Sequence, residues 1–193
     1  MTYKATMEEI SNKRKELLAV RKSIRDLQDS IEPEPVSDYI FSTCGEDVSL
    51  ASLFGDRDTL FVIHNMGKSC TSCTMWADGL NGVLSHLENR AAFVVASPDH
   101  PAVQKEFGES RDWKFRMVSH AGTSFADDMG YLGTYNDKPS FWPGVSVFMR
   151  KGDEIVRVSD TEFGSGDDFN PALNLFELIP GGSGDWDPQY SYG

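Results

Sequence analysis

Thr59-Leu60-Phe61-Val62-Ile63-His64 is an almost unbroken apolar run, and Cys70-Thr71-Ser72-Cys73 follows it across a short loop containing Gly67. A strand written this way needs cover on both faces and belongs in the middle of a sheet. Beyond Cys73, the residues Trp76, Leu80, Val83, Leu84 and Leu87 keep helical spacing as far as Asn89-Arg90. Ala91 to Ala96 then forms a second apolar run. Strand, loop, helix and strand make a βαβ unit, with the two cysteines on the first turn of its helix.

The flanking segments extend this unit into one domain with appendages. Met7, Ile10, Leu17, Leu18, Ile24, Leu27 and Ile31 recur at mostly three- and four-residue spacings among charges, which predicts an amphipathic helix. Glu32-Pro33-Glu34-Pro35 ends it, because proline cannot continue the hydrogen-bond ladder and biases its predecessor toward extended backbone. The expected organisation is an N-terminal helix over 1–32, an α/β domain over 36–180 and a flexible tail over 181–193. Within the domain, Tyr39 to Thr43 reads as a short strand and Leu50 to Leu53 as a turn of helix. Pro101 to Phe107, Ser124 to Met129 and Pro171 to Ile179 read as helices, and Phe115 to Val118 as a short extended piece. Val145 to Met149 and Ile155 to Ser159 flank Arg150-Lys151-Gly152-Asp153, the signal of a hairpin.

Thirty acidic residues against 18 basic ones give a formal charge of -12, which repels nucleic-acid phosphates and anionic membrane surfaces. Neither partner is expected. No stretch approaches the roughly 18 apolar residues of a membrane span, and the first residues are charged where a secretory signal is apolar, so a cytoplasmic location is expected. Three cysteines are too few for a secreted disulfide framework.

Cysteines three apart at the start of a helix lie on one face, close enough to join with little backbone movement. The unpaired amides and the macrodipole favour a thiolate at Cys70, whose pKa is expected to fall below the ordinary value of about 8.5. Lys68 adds to this effect. Cys73, one turn further in, is the expected resolving thiol. A CxxC motif also serves zinc knuckles and structural pairs, but His64, His86, His100 and His120 form no close HxxxH pair, so no metal site is expected. In a βαβ setting the motif reads as thioredoxin-like redox chemistry, which needs no organic cofactor.

Residues Phe61 to Arg90, with Met66-Gly67, the CxxC, Trp76-Ala77-Asp78-Gly79 and His86-Leu87, resemble the thioredoxin-like family called domain of unknown function 899. Tyr39-Ile40-Phe41, Leu53-Phe54 and Pro143-Gly144-Val145-Ser146-Val147-Phe148 resemble it too, so that the likeness runs to about Gly181. It implies an α/β thioredoxin-like fold, a central mixed sheet flanked by helices, but no settled activity. The wider thioredoxin pattern implies that Pro143 is a cis-proline facing the CxxC, with a tight turn as the alternative. It also implies that His64 stands where thioredoxin carries a buried aspartate, leaving the histidine either as a proton shuttle for Cys73 or as a core residue. The pair Thr71-Ser72 and the Ser69 before Cys70 depart from thioredoxin's residues at these places.

The leading expectation is a thiol/disulfide oxidoreductase with Cys70, Cys73 and His64 in the chemistry and a cellular thiol as reductant. Lys68, Trp76, Trp142 and Pro143 are the candidate substrate-side residues. A peroxiredoxin-like peroxidase is the alternative among enzymes, although the chain has no PxxxTxxC pattern, and a binding or scaffold protein is the alternative outside them. Trp76 and Trp142 equally suit a core, and Cys44 suits a small apolar position beside a strand. The N-terminal helix either joins two copies in a homodimer or lies across its own domain.

Overall fold

A computed structural model describes residues 2–164 and 166–193. By contacts the chain divides into two compact units, one ending at Glu34 and the other running from Pro35 to Gly193. The first is essentially α1 (Tyr3–Gln28), capped by the Thr2 hydroxyl, which accepts from the Ala5 amide at 3.4 Å. No residue of α1 is buried.

The chain then forms β1 (Glu34–Val36), β2 (Ile40–Phe41), β3 (Val48–Ser49), α2 (Leu50–Leu53) and β4 (Thr59–His64). The crossover runs through α3 (Thr71–Gly82) and α4 (Leu84–Arg90) to β5 (Ala92–Ser97), and a second runs through α5 (Pro101–Ser110) to β6 (Arg116–Ser119). After α6 (Phe125–Asp128) come β7 (Leu132–Tyr135), β8 (Lys138–Phe141), β9 (Gly144–Lys151), β10 (Glu154–Glu162) and α7 (Pro171–Phe176).

Six strands form the main sheet in the order β1-β10-β9-β4-β5-β6. Strands β4, β5 and β6 are parallel, and β9 joins β4 antiparallel with His64 opposite Gly144. The apolar run 59–64 is thus central in the sheet, between β5 and β9, as its composition predicts. Successive side chains of β4 point to opposite faces, so Leu60 and Val62 enter one core while Phe61 and Ile63 enter the other. The first core gathers Phe41, Leu50, Phe54, Val94, Phe125, Tyr131 and Phe148. The second lies beneath α3 and α4 and gathers Trp76, Ala77, Leu84, Phe93, Val95, Phe115 and Phe163.

Two features depart from the sequence reading. The helical spacing from Trp76 to Leu87 covers two helices, because the turn at Val83 (φ -115°, ψ 10°) interrupts the ladder. Strands β7 and β8 pair across Asn136 and Asp137, both with positive φ (50° and 60°), a left-handed turn that asparagine and aspartate tolerate.

Candidate active site

Cys70 caps the N-terminus of α3 and forms a disulfide with Cys73, the two Cα atoms lying 5.2 Å apart. Its Sγ accepts the Cys73 amide at 3.0 Å, in the position where a capping serine or aspartate would present oxygen. Once the bond is reduced, the same N–H group and the open end of the helix favour a thiolate on Cys70. Cys73 is 2% exposed, whereas Cys70 is only partly buried, so an incoming sulfur meets Cys70 first.

The loop that delivers Cys70 is held from two sides. Gly67 has φ +99°, and a Cβ added there would lie 2.9 Å from an Asp99 carboxylate oxygen. That carboxylate accepts the Lys68 amide at 2.6 Å, while the Gly67 amide donates to Asn65 Oδ1 at 2.8 Å. From the other side, the Tyr190 hydroxyl donates to the Lys68 carbonyl at 2.8 Å. Arg111 Nη1 in turn donates to the Tyr190 carbonyl at 2.9 Å, and Arg111 Nε donates to Asp78 on α3 at 2.9 Å. The Lys68 side chain is exposed and borders a cleft lined by Val103, Glu106, Phe107 and Ser110 of α5. Asp99 and Tyr190 have no local sequence signal, since the end of β5 and the returning tail bring them to the loop from 31 and 122 positions away.

His64 lies elsewhere. Alternation along β4 puts it on the face of Leu60 and Val62, whereas α3 covers the face of Ile63. Its ring stacks on Tyr131 with centroids 3.7 Å apart and on Phe125 at 5.4 Å, and its Nε2 meets Ser146 Oγ at 2.9 Å. Burial, with smaller contributions from His120 and Arg157, holds its pKa well below the usual imidazole value. His120, on the same side, is pushed down to about 4, chiefly by burial. His64 thus takes the face opposite the one α3 covers, and its contacts there are those of a core histidine. The Tyr131 hydroxyl continues this stack, donating to the carbonyls of Val145 at 3.2 Å and Thr161 at 3.1 Å. Desolvation there raises its pKa.

The expected cis bond before Pro143 is trans, since no cis peptide occurs among the described residues. The chain passes in extended form from β8 into β9: the Trp142 amide donates to Tyr131 O and the Phe163 amide to Pro143 O, both at 2.9 Å. The β4–β9 register still leaves Pro143 at the sheet end where the Asn65–Ser69 loop begins. Trp76 and Trp142 are not brought together. Trp76 is buried in the core beneath α3, its ring tilted against Phe163 with centroids 5.6 Å apart, while Trp142 packs on the edge of the opposite core. Cys44 follows β2, is exposed and forms no disulfide.

The fold recurs in solved structures. Peroxiredoxin Q of Xanthomonas campestris, as a cysteine-to-serine mutant, superposes with TM-score 0.58 at 14% identity over 73% of this chain and 90% of that one. Reduced Prx3 of Vibrio vulnificus gives 0.59 at 14% identity over 77% and 97%. Peroxidoxin BcpB of Mycobacterium tuberculosis gives 0.53 at 21% identity over 64% and 80%. At these identities the likeness defines the class of fold, the thioredoxin-like fold that peroxiredoxins use. The sequence itself matches the family model for bacterial proteins of unknown function DUF899 over residues 2–192, and the chain belongs to that family. A search of curated proteins finds no match.

Proposed function

We propose that this chain is a thiol/disulfide oxidoreductase that exchanges electrons through Cys70 and Cys73. The observation that carries this reading is the closed disulfide at the N-terminus of α3, with one sulfur partly accessible and the other buried. In the oxidising direction, a substrate thiolate attacks Cys70 Sγ, the Cys70–Cys73 bond breaks, and Cys73 leaves with the electron pair and takes up a proton. A second substrate thiol then attacks the mixed disulfide and releases Cys70 as a thiolate, so the substrate gains a disulfide and the protein two thiol equivalents. In the reducing direction the Cys70 thiolate attacks the substrate disulfide and releases one substrate thiolate, and Cys73 then attacks Cys70 Sγ, breaks the mixed disulfide and releases the second. In this reducing direction a cellular thiol system then reduces the Cys70–Cys73 disulfide back to two thiols, its own thiols becoming a disulfide. Lys68 and its cleft, together with Pro143 across the sheet end, suit the docking of an extended substrate beside Cys70.

Peroxide reduction is a second reading, favoured by the peroxiredoxin fold of the neighbours. There the Cys70 thiolate would take one peroxide oxygen as a sulfenic acid and release an alcohol or water, and Cys73 would close on it with loss of water. Arg111 does not support this reading, because Asp78 and the Tyr190 carbonyl engage its guanidinium.

The test is a Cys73→Ser variant in a Cys44→Ser background, reduced and mixed separately with a model disulfide and with hydrogen peroxide. Exchange predicts a stable mixed disulfide on Cys70. Rapid formation of a Cys70 sulfenic acid, with slow disulfide capture, would establish the peroxidase instead.

A further inference from the structure

The first unit holds a pattern the redox site does not use. Tyr3, Ile10, Leu17 and Ile24 stand seven residues apart along α1, and Thr6, Lys13, Val20 and Leu27 stand three residues after each. These are the a and d rows of a heptad repeat sustained through nearly four heptads, and a strict period of seven makes the apolar seam of a left-handed coiled coil. The apolar side chains of both rows are exposed, from 38% at Ile10 to 82% at Tyr3. A helix of 26 residues with no buried side chain gains little from propensity alone, and a partner along this seam supplies the missing burial.

We propose that α1 forms a parallel two-stranded coiled coil with α1 of a second copy of this chain. The charges beside the seam choose both occupant and direction. The g row is Thr2, Glu9, Glu16 and Ser23, and the e row is Met7, Arg14, Arg21 and Gln28. In a parallel pair each g residue meets the e residue five positions further along the other helix. Glu9 then meets Arg14 and Glu16 meets Arg21, giving four ion pairs by symmetry, with Ser23 facing Gln28. An antiparallel pair sets g against g and e against e, which opposes glutamate to glutamate and arginine to arginine. Isoleucine at a in two heptads, with leucine at d in the last, favours two strands over three or four.

Lys13, the charged residue in the d row, is already turned outward, its ammonium 2.9 Å from Glu16 on the g edge. Its stem covers the seam while its charge stays wet. The pair Lys22–Asp26, at 2.7 Å, lies on the far side of the helix and leaves the seam clear.

The test is sedimentation equilibrium of the full chain from about 1 to 100 µM, with variants that keep α1 helical. The native protein should be a dimer. Reversing one edge (Glu9→Arg with Glu16→Arg) sets arginine against arginine and should weaken association at least about tenfold. Mixing that variant with Arg14→Glu/Arg21→Glu should restore a one-to-one dimer. A Thr6→Cys substitution in a Cys44→Ser background, with the CxxC disulfide closed, should form an interchain disulfide, because d residues face their own equivalents only in the parallel register. A monomer throughout, including one that binds anionic phospholipid vesicles through α1, overturns the proposal. So does a dimer that survives charge reversal, or one in which the Thr6→Cys thiols of the two copies fail to link.

Discussion

The two faces of the central sheet carry residues six positions apart in sequence and give them opposite fates. On the α3 face, Cys70 sits at a helix end, partly open, with a backbone donor aimed at its sulfur. On the other face, His64 is sealed among Tyr131, Phe125 and Ser146, and burial keeps it neutral. Proximity in sequence does not make a catalytic pair when the strand's alternation sends one member through the sheet. The group proposed as reactive is the one at the helix end. His64, whose titration is strongly shifted, lies in the core, where a perturbed histidine reports packing.

A separation of effects should follow. Cys70→Ser should reduce disulfide exchange to the rate of buffer alone while leaving the thermal midpoint of the reduced protein nearly unchanged. His64→Ala should do the converse. Removing a buried ring stacked at 3.7 Å on Tyr131 should cost about 2–4 kcal/mol in denaturant unfolding, with exchange per folded molecule within about twofold of native. Loss of exchange in folded His64→Ala would join the two faces functionally and break the distinction.

Acid should act on the histidine face first. His120 and His64 have folded-state pKa values below that of the unfolded chain, so the unfolded state binds more protons as pH falls below about 6.5. Stability is therefore full above that pH and declines toward pH 4, with His120 alone contributing a loss on the order of 3 kcal/mol by then. His120→Gln should flatten this part of the stability profile, measured by urea unfolding at successive pH values. Asp128, whose pKa is lowered by hydrogen bonds from Ser124 and Tyr39, acts in the same direction at lower pH.

A smaller effect is expected at the loop. Asp99→Ala removes the acceptor of the Lys68 amide and should cost about 1 kcal/mol, with a few-fold change in the Cys70 alkylation rate. Tyr190→Phe, which deletes only the hydroxyl on the Lys68 carbonyl, should change that rate less.

Much of this molecule is legible in its sequence. The run 59–64 marks the central strand because a strand covered on both faces needs no alternation, and Pro101, Pro171 and the Lys151-Gly152 turn mark the later elements with local chemistry. The cysteine pair is legible because three-residue spacing at a helix start is itself a geometric statement. The β7–β8 hairpin is not, since Asn136-Asp137 lacks the glycine that usually announces such a turn. Nor are Asp99 and Tyr190, which reach the Cys70 loop only through tertiary folding. The face His64 takes is legible too: its distance from Cys70 is short along the chain, but counting Leu60, Val62 and His64 puts it on one side of β4.

The most direct test of the central claim is competitive alkylation of the fully reduced protein with limiting iodoacetamide near neutral pH, each cysteine followed by mass mapping. Cys70, at the helix end, should be modified faster than Cys44, although Cys44 is exposed, and Cys73 should be slowest because it is buried. The same order should hold in His64→Gln. Modification of Cys44 or Cys73 ahead of Cys70 would contradict the assignment of Cys70 as the nucleophile.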